Sequence, residues 1–225
     1  MERFKDSLGI LNEEQFERIK HARILLVGLG GLGGYIANGL VRLGVERFTL
    51  VDYDRFETSN LNRQLFSTPG NVGEKKADVL RQAMKEIYPD VSIEVHDGDL
   101  ASLDDAPVQN ADLIIDATDH VATKLDIERL GAEFEKPVLH GGIGGWYGQL
   151  GIITPGEKLI SALYGDNEKG VEETLKCPTF APAVIGNLMV VEALKFLAGM
   201  KHALINRVLF VDLLTHDYDI LFDTE

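Results

Sequence analysis

The stretch Gly28-Leu29-Gly30-Gly31-Leu32-Gly33-Gly34 decides the fold of this chain. An apolar run typical of a strand, 24–27, leads into it, and apolar residues with helical spacing follow it. A strand, a glycine turn and a helix form the context in which G-x-G-x-x-G indicates nucleotide binding. Gly28 permits the sharp turn, Gly30 lets the backbone approach a phosphate, and Gly33 lets the helix pack close to the strand. The unpaired N–H groups and the positive dipole at the helix start favour an anion.

An acidic residue follows the glycine turn at the end of the next strand. Asp52 closes the apolar run 48–51, and a carboxylate at this place can accept hydrogen bonds from ribose hydroxyls. The turn and the acid together predict a site for a mononucleotide or a dinucleotide. They do not distinguish a mononucleotide from a dinucleotide.

Length and composition limit the class of protein. A chain of 225 residues suits a single domain, 1–225. The net charge of −14 argues against an extended nucleic-acid surface, and no apolar run is expected to reach the length of a membrane span. The only cysteine, Cys177, cannot form an internal disulfide or an all-cysteine zinc site. The charged N-terminus is unlike a signal peptide, so a cytoplasmic protein is expected.

Strand and helix patterns alternate through residues 1–140. This alternation predicts an α/β fold, a Rossmann-like, doubly wound and mostly parallel sheet. An N-terminal arm and helix occupy 1–22, where Asn12 and Gln15 form a predicted capping box. The polar, irregular segment 53–73 follows a strand end, where open α/β sheets bind their ligands, and long irregular segments are usually functional.

The C-terminal half has a different pattern. It predicts a strand over 149–153, a buried apolar helix over 181–197 and two strands around Thr215-His216. These strands are expected to extend the sheet in the antiparallel direction. The acidic, weakly periodic segment 157–180 is predicted to be a mobile loop.

Several segments together resemble one known family. In chain order they are the glycine turn, Asp52-Tyr53-Asp54, Ser59-Asn60-Leu61-Asn62-Arg63-Gln64, Gly73-Glu74-Lys75-Lys76, Asp116-Ala117-Thr118-Asp119 and the segment 181–188. These segments resemble the ThiF/MoeB/HesA family, bacterial relatives of ubiquitin-activating enzymes. The resemblance extends over nearly the whole chain.

The resemblance implies a function. Members adenylate the C-terminal glycine carboxylate of a small ubiquitin-like sulfur carrier that ends in Gly-Gly, using ATP and Mg²⁺ and releasing pyrophosphate. Thiamine, molybdopterin or related sulfur transfer is the implied setting, and a homodimer is the implied assembly. No nucleic acid and no membrane are expected as partners.

The residues fit this chemistry. Arg63 offers a fork of donors and Lys76 a compact cation for a triphosphate, and Asp119 is a suitable magnesium ligand. No general base is needed, because the attacking carboxylate is already ionised at pH 7. Taken singly, Asn60 and Asp119 are more typical of helix caps, and a lone arginine or lysine is more typical of a solvated surface charge. The predicted nucleotide-binding set is Gly28, Gly30, Gly31, Gly33, Asp52, Asp54, Asn60, Arg63, Gln64 and Lys76.

The sequence departs from the family pattern in some places. Relatives often carry an N-terminal arginine that reaches the partner subunit's triphosphate, and Arg3 or Lys5 is the candidate here, although Asp6 is expected at its usual place. The cysteine pairs that bind zinc in some relatives are missing, so no zinc is expected. His120 stands where asparagine is usual, and it is interpreted as a cap or surface residue.

Cys177 and the glycine-rich run 141–148 can each be interpreted in two ways. The family resemblance implies a covalent link between Cys177 and the carrier, since some relatives carry such a cysteine near this place, and the neighbouring lysine and helix start would favour its thiolate. A free cysteine is also typical of a small buried apolar residue. The glycine-rich run 141–148, with Trp146 and Tyr147, could line a groove for a glycine-ended tail. A glycine-rich crossover with a core tryptophan explains the same pattern.

Rival functions remain open at this level. An NAD-dependent oxidoreductase would use the same glycine turn, but it would not require Arg63 and Lys76 at their spacing. A non-catalytic family member that only binds a partner is the second rival. A tRNA-modifying member is the third, and the net charge of −14 disfavours it.

Overall fold

The computed structural model describes Phe4, Asp6 and residues 9–165 and 175–222. The first half of the chain alternates strands and helices. They are α1 (Glu13–His21), β1 (Arg23–Val27), α2 (Gly31–Arg42), β2 (Arg47–Val51), α3 (Lys76–Ile87), β3 (Ser92–His96), α4 (Asp105–Asn110), β4 (Leu113–Asp116) and α5 (Val121–Glu133).

The second half is richer in antiparallel strands. Its elements are β5 (Val138–Gly144), β6 (Tyr147–Ile153), α6 (Leu159–Tyr164), α7 (Phe180–Leu197), β7 (Val208–Asp212) and β8 (Asp217–Leu221). In the described part of the chain the strands form an eight-stranded sheet in the order β3-β2-β1-β4-β5-β6-β7-β8. The strands from β3 to β5 are parallel, and those from β5 to β8 are antiparallel. The predicted fold class is therefore confirmed.

The topology places a crevice at the carboxyl ends of β1 and β4. The chain runs outward from β1 to β2 and β3, and then crosses back to β4 on the other side of β1. Ligands of open α/β sheets bind where the strand order reverses in this way. The glycine turn, Asp52 and Asp119 follow β1, β2 and β4 and so meet at this edge.

Glycines allow α7 to lie directly on the second half of the sheet. A Cβ on Gly141 of β5 would collide with the Met189 side chain, and one on Gly148 of β6 would collide with Ile185. Glycine is a poor strand former, so the sequence did not predict that 141–144 continues β5. Close packing against α7 explains the strand.

Helix α7 is long and strongly apolar. Its 18 residues, Phe180–Leu197, are long and apolar enough by those criteria alone to cross a membrane, contrary to the expectation from the sequence. In the fold it packs against α2, β5 and β6, and Ile185 and Met189 are fully buried. It is a core helix of the domain.

The other local predictions gave mixed results. The capping box of α1 is confirmed, since Asn12 Oδ1 accepts from Gln15 N at 2.9 Å. The hairpin around Thr215-His216 is confirmed as β7 and β8. The loop predicted over 157–180 is wrong for 159–164, which form α6, because Leu159, Ile160 and Tyr164 bury against α5 and the sheet. Residues 166–174 of that prediction lie outside the described residues.

Candidate active site

A cavity of about 790 Å³ opens at the carboxyl ends of β1, β2 and β4. We call it the main cavity. Most of the predicted site residues line it, namely Gly28, Gly30, Gly31, Asp52, Asp54, Arg63, Gln64, Lys76, Asp119 and Cys177. The sequence therefore identified residues that are distant in the chain and share one space. Gly33 and Asn60 are outside this set, and Arg3 lies outside the described residues.

The glycine turn has the geometry that its sequence predicts. Gly28 has a φ of 88°, and a Cβ there would lie 2.7 Å from the carbonyl oxygen of Ala117. A Cβ on Gly33 would collide with the carbonyl of Gly28, so Gly33 acts in packing below the cavity. Helix α2 begins at Gly31 without a side-chain cap, so its first N–H groups are available to an anion.

Asp52 connects the glycine turn to the segment that follows β2. Its Oδ2 accepts from Leu29 N at 2.6 Å, and its Oδ1 accepts from Asp54 N at 2.7 Å. Burial raises the pKa of Asp52, although Lys76 and the two amide donors act in the opposite direction. The carboxylate is therefore oriented by the backbone toward the cavity, where it can accept from ribose hydroxyls.

Lys76 and Asp54 form an ion pair at the wall of the main cavity. Lys76 is the first residue of α3, and its Nζ lies 2.7 Å from Asp54 Oδ2. The lysine side chain is only 7% exposed, whereas the aspartate is 50% exposed. A buried ammonium beside open space is well placed to bind an anionic ligand, because water screens it little.

The polar segment after β2 is anchored by Phe56. This ring is fully buried, and its backbone N donates to Glu74 O at 2.9 Å. The fold thus fixes a segment that contains few apolar residues. Two short 3-10 turns, Thr58–Asn60 and Pro69–Asn71, make up part of it.

Asn60 and Gln64 lie under this segment. Asn60 Oδ1 accepts from Glu57 N at 2.9 Å and so caps the turn 58–60. Asn60 is outside the lining set, and its observed contacts correspond to the cap alternative rather than to the predicted nucleotide contact. Gln64 is also buried, and its Oε1 has no hydrogen-bond partner among the described residues.

Arg63 lies at the edge of the main cavity. Its Nη1 donates to Ser59 O at 2.8 Å and to Asn62 Oδ1 at 3.0 Å. Among the described residues, the hydrogen bonds of this guanidinium involve Nη1 alone. Nε and Nη2 are therefore available to a bound phosphate or carboxylate.

Asp119 follows β4 and lies at the opposite wall. Its side chain is 80% exposed, and the ring Nε2 of His120 lies 3.8 Å from its Oδ1. No group of three or more His, Cys, Asp or Glu side chains converges as a metal site in the described part of the chain. One open carboxylate suits Mg²⁺, which commonly binds through one or two carboxylates together with phosphate oxygens.

Cys177 lines the main cavity on the side of α7, together with Lys176 and Ile143. The cysteine is partly exposed, so it is not the fully buried apolar residue of the alternative interpretation. His120 stands at the N-cap position of α5, where its side chain makes no capping bond. It is exposed, as a surface residue.

The sequence missed a buried polar cluster next to this site. Asp116, at the end of β4, contacts Lys124 of α5 and His140 of β5, and all three side chains have no exposed surface. Burial opposes ionisation of Asp116, but Lys124 and His140 outweigh it and lower its pKa to about 2. Burial, together with the charge of Lys124, lowers the pKa of His140. The only signal for Lys124 was a lysine on the apolar side of a weakly amphipathic helix.

A second cavity of about 270 Å³ lies over β5 and β6, and we call it the side cavity. Its floor contains Gly142, Gly144 and Gly148, and Tyr147 and Phe210 form part of its wall. Tyr147 stacks on Phe210 with ring centroids 5.8 Å apart. Trp146 instead packs on Phe180 at 4.5 Å, and it is 44% exposed. Of the two alternatives for this tryptophan, the core position is wrong, and Trp146 is not part of the side-cavity lining either.

The two cavities are neighbours. Ile143 lines both of them. Leu175 contacts the side cavity, and the next residues, Lys176 and Cys177, contact the main cavity. The segment 175–177 thus runs along the boundary between the two spaces.

Comparison with known proteins gives consistent results. A model of the ThiF family matches residues 4–223. The molybdopterin-synthase adenylyltransferase of Escherichia coli is 32% identical over 210 residues, which cover 88% of this chain and 82% of the relative. The sulfur carrier protein adenylyltransferase of Thermus thermophilus is 33% identical over 215 residues, with coverages of 88% and 77%.

The architecture is also found among solved structures. A crystal structure of the protein PaaA matches with a TM-score of 0.80 at 18% identity, and the match covers 98% of this chain and 82% of that one. At this level of identity the likeness shows the fold alone.

Proposed function

The chain belongs to the ThiF family, and we propose that it adenylates the C-terminal carboxylate of a small ubiquitin-like sulfur-carrier protein. A carboxylate oxygen of the carrier attacks the α-phosphorus of ATP and forms an acyl–phosphate bond, and the bond to the departing pyrophosphate breaks. One observation carries the proposal. Asp52, Lys76 and Asp119 line a single cavity, so a ribose acceptor, a phosphate cation and an open carboxylate face the same space.

The chain's own residues supply positioning and charge. Asp52 accepts from the ribose, and the N–H groups at the start of α2 donate to phosphate oxygens. Lys76 and Arg63 stabilise the charge that develops as the phosphoanhydride bond breaks, which is the main requirement for transfer at phosphorus. The nucleophile brings its own negative charge, so none of these residues has to remove a proton.

Asp119 is the residue that would bind Mg²⁺ in this site. When bound, the metal supplies positive charge to the phosphate oxygens, as in other enzymes that transfer phosphorus groups. The openness of Asp119 supports this role, because a carboxylate already paired to a cation would bind a metal less well.

The side cavity supports the carrier as substrate. Its glycine floor and its shared boundary with the main cavity form a path for a narrow, extended chain. A tail that ends in Gly-Gly has no side chains near its end and would fit under the segment 175–177. We propose that the tail enters over Gly142 and Gly144 and that its carboxylate reaches the main cavity.

The rivals are less consistent with the site. An NAD-dependent oxidoreductase needs no buried lysine beside the ribose acid, and the relatives are named as adenylyltransferases. The two relatives are named for different acceptor proteins, so they do not identify the carrier of this chain. A homodimer in which Arg3 reaches the partner's site is part of the proposal.

Titration calorimetry with ATP and Mg²⁺, and separately with NAD, tests the choice of nucleotide. We expect binding of ATP to be clearly tighter, because Lys76 and Arg63 suit a triphosphate. Tight NAD binding without measurable ATP binding would overturn the proposal.

A further inference from the structure

Lys124 makes an unusual set of contacts for a lysine. Its side chain has no exposed surface, and its Nζ donates to Thr118 O at 2.6 Å, to Gly141 O at 2.8 Å and to Asp116 Oδ2 at 3.4 Å. An ammonium has three N–H donors, so each has an acceptor. Lys124 lines neither cavity, and it cannot touch a ligand there.

The two carbonyl groups belong to the two parts of the proposed active site. Thr118 immediately precedes Asp119, the open carboxylate of the main cavity. Gly141 immediately precedes Gly142, the first glycine of the side-cavity floor. A single buried ammonium thus fixes the backbone of the Asp119 loop relative to the backbone of the tail path.

The rest of the cluster holds this ammonium in place. Asp116 Oδ1 accepts from Thr118 N at 3.0 Å and from Thr118 Oγ1 at 2.7 Å, so the carboxylate binds the same loop from the other side. His140 Nδ1 lies 2.7 Å from Asp116 Oδ2. Because the pKa of His140 is lowered, it remains neutral near pH 7, and Lys124 is the cation that balances Asp116.

Burying the Lys124 ammonium costs desolvation free energy, so the need to fill space does not explain why this residue is a lysine. A buried ion pair is often no more stabilising than apolar residues of the same volume. A methionine at 124 could fill the space, but it would leave Thr118 O and Gly141 O without their donor. What the ammonium adds is a fixed geometry between the loop after β4 and the middle of β5.

We propose that Lys124 is a positioning residue for the adenylation reaction. It acts through the Thr118 carbonyl on Asp119 and through the Gly141 carbonyl on the tail path, so that the carrier carboxylate and the α-phosphate are aligned. This inference rests on the proposed function of the main cavity. A misplacement of about 1 Å in a reacting group can reduce a rate by roughly 10²-fold.

The first test compares Lys124→Met with Lys124→Arg in carrier-dependent exchange of labelled pyrophosphate into ATP. For Lys124→Met we expect kcat to fall by roughly 10²-fold, with the affinity for ATP measured by calorimetry little changed. Lys124→Arg, which keeps charge and donors, should recover part of the rate. Lys85→Met, on an exposed face of α3, is the matched control. Equal rates for Lys124→Met and the control would overturn the proposal.

A double-mutant cycle with Asp119→Asn separates positioning from general stability. If Lys124 acts through Asp119, adding Lys124→Met to Asp119→Asn should cost much less than it costs in the original chain, because coupled residues are not additive. Full additivity would overturn the route through Asp119.

Hydrogen exchange on the original chain gives a third test, and its result does not depend on whether any variant folds. Hydrogen exchange should show the amide of Thr118, which donates to Asp116 Oδ1, protected before any nucleotide is added, because Lys124 and Asp116 fix this loop. Fast exchange there, in a chain whose β4 amides are protected, would overturn the inference. If the original chain did not exchange labelled pyrophosphate into ATP, the proposed function would be rejected. The hydrogen-exchange result would still test whether Lys124 and Asp116 fix the loop.

Discussion

The Nζ of Lys76 lies 2.7 Å from Asp54 Oδ2 in the wall of the main cavity. The neighbouring Lys75 also pairs with an aspartate, Asp97, but this pair is on the surface and outside the cavity lining. Exposed pairs contribute little, whereas a buried ammonium keeps most of its electrostatic effect. Two adjacent lysines thus have different environments. Their local sequence could not distinguish them, whereas the family resemblance implied Lys76.

This difference gives the first prediction. Lys76→Met should reduce pyrophosphate exchange by roughly 10²–10³-fold, the usual scale for removing one group that stabilises the transition-state charge. Lys75→Met is the matched control and should retain nearly all activity. Similar losses in both variants would mean that the phosphates do not bind at Lys76.

The second prediction concerns stability and pH. The pKa of His140 is lowered from its ordinary value of 6.5 by burial and by Lys124, so the unfolded chain binds a proton more readily than the folded one. The contribution of His140 to the free energy of unfolding is therefore complete above about pH 6.5 and is lost progressively as the pH falls below that value. The pKa of Asp116 is about 2, against an ordinary 3.8, so its contribution is lost only as the pH falls from about 4 toward 2.

Urea unfolding between pH 7.5 and 5 measures the His140 effect. We expect the free energy of unfolding to fall with pH in the original chain and to fall less steeply in His140→Gln. His202→Gln, at an exposed position, is the control and should keep the original slope. The same slope in all three proteins would show that His140 is not the group responsible.

The third prediction separates adenylation from a later sulfur step. Adenylation needs no thiol, so Cys177→Ser should leave pyrophosphate exchange nearly intact. A covalent link to the carrier would need Cys177, the only cysteine of the chain, and a thiol-sensitive adduct on a non-reducing gel should disappear in the variant. Loss of exchange in a well-folded Cys177→Ser protein would contradict the assignment of the main-cavity residues.

The fourth prediction is the assembly. Val184 and Val191 are exposed at 36% and 43%, and their spacing places them on one face of α7. Such an apolar face suits a two-fold dimer. Light scattering should give a mass near twice the 24.8 kDa of one chain. A mass near one chain at micromolar concentration would count against it.

The parts of the fold that the sequence predicted correctly depend on local rules. Gly28 needs a positive φ and Asn12 caps a helix whatever the rest of the chain does. The strand at 141–144 depends on Met189, far away in sequence, which occupies the space of a missing side chain. No local pattern contains that information.

The candidate site shows the same division. Charged residues after strand ends, such as Asp52 and Asp119, could be predicted because parallel strands end at a common edge. Lys124 could not, because a lysine on a helix is usually exposed, and only the acceptors Thr118 O and Gly141 O explain its burial. Asn60 was placed correctly in the loop, but its local capping bond could not be distinguished from a ligand contact.

The most direct test of the proposed function is carrier-dependent exchange of labelled pyrophosphate into ATP, measured for the original chain and for Asp119→Ala. We expect exchange in the original chain, none in Asp119→Ala, and normal exchange in Asp90→Ala, a control at an exposed position outside the cavity. Because Asp119 is exposed and makes few contacts, its loss should not unfold the protein. Near-normal exchange by Asp119→Ala would contradict the proposed site.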